Sequence, residues 1–290
     1  MSTIVKRIPA LSLALILSFA FAGCANEELT RDELEEIVVN AATANAEVDS
    51  CAFDMSMPMT IEIIGGSSAG EMTILIDGTG AMDNANEKMQ TIISMEMSIP
   101  EQGKQEMTME IYIVGDWMYL GMGIPGVGEQ WMKLELTDEI WKEQDQIGGQ
   151  IELLETATET NFLGSESVSG VTCYVIEVVP STEKLGDLLN QQAVFGSSGM
   201  NLDLGELDIA SLLKEMSFKQ WIAKDSYFLM KSQLNMLMEM QAADLGATEE
   251  ELEKVVMDIN IDMELYDYNQ PVSISLPEEA LQAPEMPTDY

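Results

Sequence analysis

Apolar residues fall at every second position over much of this chain, starting with Cys51, Phe53, Met55, Met57, Met59, Ile61 and Ile63. A period of two places them on one side of a β-strand. The alternation returns at Met72, Ile74 and Ile76 and continues to Met82; it reappears from Met89 to Ile99, closed by Pro100, and from Met107 to Ile113. Two shorter runs follow, at Trp117 and Tyr119 and at Met132, Leu134 and Leu136. Gly65-Gly66-Ser67-Ser68 and Asp83-Asn84-Ala85-Asn86 supply turns. Further strands are expected at Phe162–Val168 and Val171–Val179 around Ser169-Gly170, then at Phe218–Ala223 and Ser226–Met240 around Lys224-Asp225. Val255–Leu265 and an edge strand Val272–Leu276 complete the set. Consecutive hairpins with one apolar side read as an antiparallel meander.

Helical spacing appears in fewer places. Thr30 and Glu33 form a capping box, and Leu34, Ile37, Val38, Ala41, Ala44 and Val48 follow as an apolar stripe. One helix is therefore expected from Arg31 to Val48. A second should start after Thr137 and be split by Gly148-Gly149. Short helices are expected at Lys184–Gln191 and Leu207–Met216, with residues 193–206 between them as a mobile loop. Thr248 and Glu251 make another capping box. The pattern contains eleven or twelve strands, several helices and no internal repeat.

The first residues carry an address. Lys6 and Arg7 precede a largely apolar run, Ile8 to Ala22, that ends in Ala22-Gly23-Cys24. This is the layout of a secretory signal; at about fifteen residues the run is shorter than the roughly 20 needed to span a bilayer. It is similar to a bacterial lipoprotein signal, which implies that residues 1–23 are removed and that Cys24 is lipidated. Residues 24–30 then form a tether, 31–276 a single domain and 277–290 an acidic, Pro-containing tail that is expected to be loose. The expected location is the extracytoplasmic cell envelope, anchored to a membrane through the Cys24 acyl chains.

Net charge is −38, from 51 acidic and 13 basic residues. Phosphate contacts need clustered Lys and Arg, so nucleic acid is excluded as a partner. Histidine is absent, which removes the commonest general base and transition-metal ligand. Gly121-Met122-Gly123-Ile124-Pro125-Gly126 matches a dinucleotide loop in letters, but a strand follows it where a helix is needed. No catalytic residue, cofactor or metal is called for, and the chain is read as non-enzymatic. Cys51 and Cys173 could pair outside the cytoplasm, where disulfides persist, but alternation puts Cys51 on the apolar face of its strand and Cys173 on the face of Glu177, an arrangement that disfavours the bond and leaves the pairing open.

Methionine is the compositional oddity, with 23 residues. Those at 55, 57, 59, 72, 82, 89, 95, 97, 107, 109, 132, 230, 236, 238, 240, 257 and 263 occupy the apolar side of the strands. Met is flexible and polarisable, and it suits surfaces that fit varied apolar shapes. Three readings follow: an ordinary core, a soft-lined cavity for a greasy ligand, and copper(I) held by thioethers. Alternation by itself produces Met-x-Met, and no His accompanies it, so copper ranks last.

Phe162-Leu163-Gly164-Ser165-Glu166 leading to Gly170-Val171-Thr172-Cys173-Tyr174-Val175-Ile176 resembles a strand pair of the mycobacterial LppX/LprG lipoproteins and the LolA/LolB lipoprotein carriers. Trp221-Ile222-Ala223-Lys224-Asp225 and Tyr266-Asp267-Tyr268-Asn269-Gln270-Pro271-Val272 are similar to two further strands of that group. The resemblance implies an α+β fold, a large curved antiparallel half-barrel of about eleven strands wrapped over a few helices. It also implies an apolar cavity for a lipid or acyl chain. The residues expected to line it are Phe53, Met55, Met57, Met95, Met97 and Met109, together with Ile111, Met236, Met238, Ile259 and Ile261, with 193–206 as the gate. The alternative is a structural or sensory lipoprotein with a filled core, acting through a protein partner.

Overall fold

The structure, a computed structural model, describes residues 28–66, 69–100, 103–124, 126, 128–137, 141, 146–181, 209–245, 247–248 and 252–286. Cys24, the expected helix at 184–191 and the expected gate at 193–206 lie outside the described residues. Eleven strands form one antiparallel sheet: β1 Ser50–Ile64, β2 Gly70–Asp83, β3 Lys88–Ile99, β4 Gly103–Val114, β5 Trp117–Ile124, β6 Gly128–Glu135, β7 Glu159–Val168, β8 Val171–Val179, β9 Leu213–Ala223, β10 Leu229–Gln241 and β11 Lys254–Tyr266. Their order is β6-β5-β4-β3-β2-β1-β11-β10-β9-β8-β7. The sheet is a curved half-barrel whose two edges, β6 and β7, do not pair. Two meanders therefore meet at a central seam between β1 and β11, where Met55 faces Met263 and Met59 faces Ile259.

Turn chemistry fixes the hairpins. Ser169 and Gly170 join β7 to β8 with φ of 48° and 87°, the two positive values that a tight hairpin turn requires. At the β2–β3 corner the Asp83 carboxylate accepts from the Asn86 backbone N–H at 3.1 Å.

Helix α1, Arg31–Ala46, begins with the expected box: Thr30 Oγ1 accepts from the Glu33 backbone N–H, and Glu33 Oε2 accepts from the Thr30 backbone N–H. The N–H and hydroxyl of Thr30 hold the Glu33 carboxyl below its usual range. Helix α2, Gln146–Glu155, runs unbroken through Gly148-Gly149. Each glycine costs a helix about 1 kcal/mol, and burial of Ile147, Ile151 and Leu154 on one side offsets it. Both helices add their apolar stripes to the core cluster formed by the sheet's inner face, and α1 packs on α2.

Three expectations are corrected. Of the helix expected over 207–216, the described residues show Ile209–Leu212 helical and β9 already starting at Leu213. Pairing of Met216 with Met236 and of Glu215 with Leu237 outweighs the local helical spacing. Val272–Leu276 is not a strand, because both sides of β11 are taken by β1 and β10. Finally, the tail past Pro277 is docked. Ala280 and Ala283 are buried, the Lys133 N–H donates to the Pro284 carbonyl at 2.9 Å, and the Met286 N–H donates to the Lys133 carbonyl at 2.7 Å. The tail thereby covers part of the β6 edge, which would otherwise offer unpaired groups to another chain.

The outer face is largely polar, apart from a second cluster of Val168, Cys173, Val175, Trp221, Ala223 and Met230. Met230 thus leaves the inner set, displaced by the irregular register between Leu229 and Lys231. No disulfide joins Cys51, in the inner core, to Cys173, in the outer cluster. Burial pushes the Cys173 thiol pKa up, so thiolate is scarce. In native protein at pH 8, iodoacetamide is expected to leave both residues unmodified over an hour and to modify both after addition of denaturant. Peptide mass spectrometry reads the result, and rapid native labelling of either would contradict this packing.

Candidate functional site

The inner face is a lattice of apolar side chains in strict register. From β4 to β9 one row runs Met107, Met95, Ile76, Met57, then Leu234 and Phe218. The next runs Met97, Ile74, Met59, Ile259, Met236, Met216. Met118 and Met122, which alternation had not assigned to this face, join it opposite Ile113 and Met109. Every expected lining residue lies on this face, but not in one environment. Phe53, Ile111, Met236 and Met238 are sealed. Met55, Met57, Met95, Ile259 and Ile261 are buried with slight exposure. Met97 and Met109 are partly exposed, as are Met59, Met72 and Met107. Closure is tight around Cys51, Phe53 and Ile113; towards the opposite strand ends it loosens on β1 to β4, at Met59, Met72, Met97 and Met107, while Met238 and Met240 on β10 stay sealed.

Two glycines shape the sealed part. Gly80 faces Phe53 across the β1–β2 pair, and a methyl there would stand inside the phenyl ring. At Gly78 it would meet Met55 Cε at 3.3 Å. The overlap at Gly80 excludes a side chain, whereas at Gly78 the flexible end of Met55 has only to give by a few tenths of an ångström.

A cleft of about 990 Å³ opens where α1, the end of α2 and edge strand β7 converge. Its apolar walls include Leu29, Leu34, Val38, Leu154, Ala157 and Phe162. Its rim carries Glu28, Glu35, Glu155, Glu159 and Arg31, whose Nε lies 2.9 Å from Glu35 Oε1. None of the lining residues expected from sequence lies on this cleft. It is connected to them through the lattice: Phe162 stands opposite Ile176, Ile176 opposite Gln220, Gln220 opposite Ser232, Ser232 opposite Met263, and Met263 opposite Met55.

Gln220 and Ser232 interrupt that apolar row. Gln220 is fully buried and Ser232 nearly so, as is Gln150 on α2. Gln220 Nε2 donates to the Gln150 backbone carbonyl at 2.7 Å. A signal for them was present in the sequence, since a polar residue at a core-facing position of an alternating strand needs a partner inside. Among the described residues no charged side chain is buried, and no helix is long and apolar enough to cross a membrane.

A family model described as "Family of unknown function (DUF6612)" matches residues 33–285. No curated protein matches the chain. Solved structures similar to it include the Mycobacterium tuberculosis lipoprotein LppX, at 12% identity and a TM-score of 0.41, covering 85% of this chain and 100% of that one. LprF from Mycobacterium bovis is similar at 11% identity and a TM-score of 0.39, covering 85% and 97%. A DUF1329 family protein from Desulfovibrio piger follows at 10% identity and 0.26, covering 83% and 95%.

Proposed function

The chain belongs to the DUF6612 family of unknown function, and from that premise we propose that it is a non-enzymatic, extracytoplasmic lipoprotein, tethered to a membrane through Cys24, that holds a lipid or acyl chain on its methionine-rich inner face. The observation that carries the reading is the gradient on that face. Its sealed end gives rigidity, while Met59, Met72, Met97, Met107 and Met109 remain partly accessible. A monomeric core gains nothing from leaving thioethers half covered, whereas a guest chain would complete their burial. Each buried methylene is worth about 0.8 kcal/mol, so an acyl chain binds without chemistry, and flexible Met side chains repack around its shape.

Gently purified protein is expected to show a lipid-sized mass increment in native mass spectrometry and to take up a fluorescent fatty acid. Met97→Glu combined with Met109→Glu would place two carboxylates at the accessible end, where the fold tolerates them. Uptake is expected to fall at least about tenfold, as a charge without a partner is costly in an apolar site. A clean unliganded mass together with no uptake by the parent protein would remove the proposal and leave a filled-core lipoprotein acting through a protein partner.

A further inference from the structure

We propose that the bound molecule is uncharged and ends in a hydrogen-bond donor, a hydroxyl-bearing lipid in preference to a fatty-acid anion, with its polar end seated between α2 and β9; this rests on the preceding reading and narrows it. The Oε1 atoms of Gln150 and Gln220 are both buried, and neither has a hydrogen-bond partner among the described residues. The orientation of the Gln220 amide is fixed, because its nitrogen donates to the Gln150 carbonyl, and an amide oxygen in that place would be an acceptor facing an acceptor. Buried polar atoms are almost always paired, and an orphan pays its full desolvation penalty. Two acceptors are thus left open, one on each partner of the Gln220–Gln150 helix–strand contact.

Their position suits the head of a lipid. Leu154, one helical turn beyond Gln150, lines the cleft, as does Phe162, which lies two strands from Gln220 along the register row, or about 10 Å at the usual strand spacing. On the other side the same row passes Ser232 to reach Met263 and Met55. Beyond the buried Met263 and Met55 the row continues through Gly78 and Ile93 to Met109, so a molecule with its polar end between α2 and β9 lies along the row whose partly exposed member is Met109. Open acceptors select the chemistry of that end. A hydroxyl donates to them, and an ionised carboxylate has no proton to give. No buried cation among the described residues is available to receive an anion, and the chain's net charge of −38 repels one.

The test uses the full chain loaded with N-phenyl-1-naphthylamine and displaces this dye with pairs of lipids of one chain length. Oleyl alcohol is expected to displace it at about tenfold lower concentration than oleyl methyl ether, which has the same chain and no donor, and 1-monooleoylglycerol is expected to outcompete oleate at pH 7.5 by a similar factor. Gln150→Leu removes one acceptor and keeps the backbone carbonyl that Gln220 uses. It should bring the alcohol and ether within about threefold of each other by weakening the alcohol alone. Alcohol and ether of equal potency in the parent protein would overturn the inference and leave lipid binding intact, with buried water as the partner of the two oxygens. Failure of every lipid, and of the dye, would remove lipid binding itself and this inference with it.

Discussion

Asn45→Ala is expected to cost about 3 kcal/mol of stability, a large effect for a polar residue at a helix end. Asn45 is 6% exposed, inside the junction between α1 and the β9–β10 turn. Its Nδ2 donates to the carbonyls of Ala41 at 2.7 Å and Tyr227 at 3.0 Å, and its Oδ1 accepts from the Leu229 N–H at 3.1 Å. Leu229 is fully buried, so water does not replace the lost acceptor. Tyr227 sits at φ +60°, a backbone state that a bulky residue holds only when its surroundings impose it. Alanine leaves the buried Leu229 N–H unpaired, at roughly 1–3 kcal/mol, and the partly buried Tyr227 C=O as well, at less. For a domain of this size, about 3 kcal/mol corresponds to a midpoint lowered by on the order of 10 °C. Asn45→Asp distinguishes pairing from packing. Ionised, it restores the acceptor but faces two carbonyls with negative charge. Protonated, it donates again. The Asp variant's folded-state carboxyl pKa is thus raised, its deficit should be largest near neutral pH, and it should shrink as pH falls through that raised value. Thermal melts of parent and variant at matched pH measure it; a deficit in the Asp variant that is constant with pH would contradict the hydrogen-bond account.

The second large effect reverses an intuition from propensity. Alanine normally suits a strand interior better than glycine, by roughly 0.5–1 kcal/mol. At Gly80 it should destabilise by about 2–3 kcal/mol, since the new methyl overlaps the Phe53 ring and overpacking a tight core costs about that much. Phe53 is 2% exposed and has no room to withdraw. Phe53→Leu opens the space, so the double variant Gly80→Ala with Phe53→Leu should be more stable than the sum of the two single changes by at least about 1 kcal/mol. Denaturant melts of the four proteins give the coupling, and additivity within about 0.3 kcal/mol would mean that the two positions do not compete for volume.

The legible part of this molecule was whatever its local period dictates. The capping box at Thr30 and Glu33, the alternation of Val171–Val179 and the opposed faces of Cys51 and Cys173 all follow from neighbours in sequence, and the structure carries each of them. Long-range competition decided the rest. Val272–Leu276 alternates as well as a strand does, yet no sheet edge is free beside β11. Leu213 and Met216 fit helical spacing, but the ladder with β10 claims them. Met118 and Met122 reach the inner face through the pairing of β4 with β5. For the candidate site, alternation identified the face and could not rank its members by depth. Phe53 and Met97 look equivalent in sequence; strand register and the helices above make one sealed and the other accessible. The two glutamines escaped because single polar letters among apolar ones look like noise until the third dimension shows their side-chain oxygens buried without a partner.

The seam has a kinetic meaning. β1 precedes β11 by roughly 200 residues and stays half-paired until that last strand joins it. Throughout that time the amino-terminal meander presents a naked flank, Cys51 to Ile63, where the backbone donors and acceptors that face away from β2 are ready for a stranger. Such high contact order slows maturation. The last strand to arrive is thus the bolt that locks a door left ajar from the start.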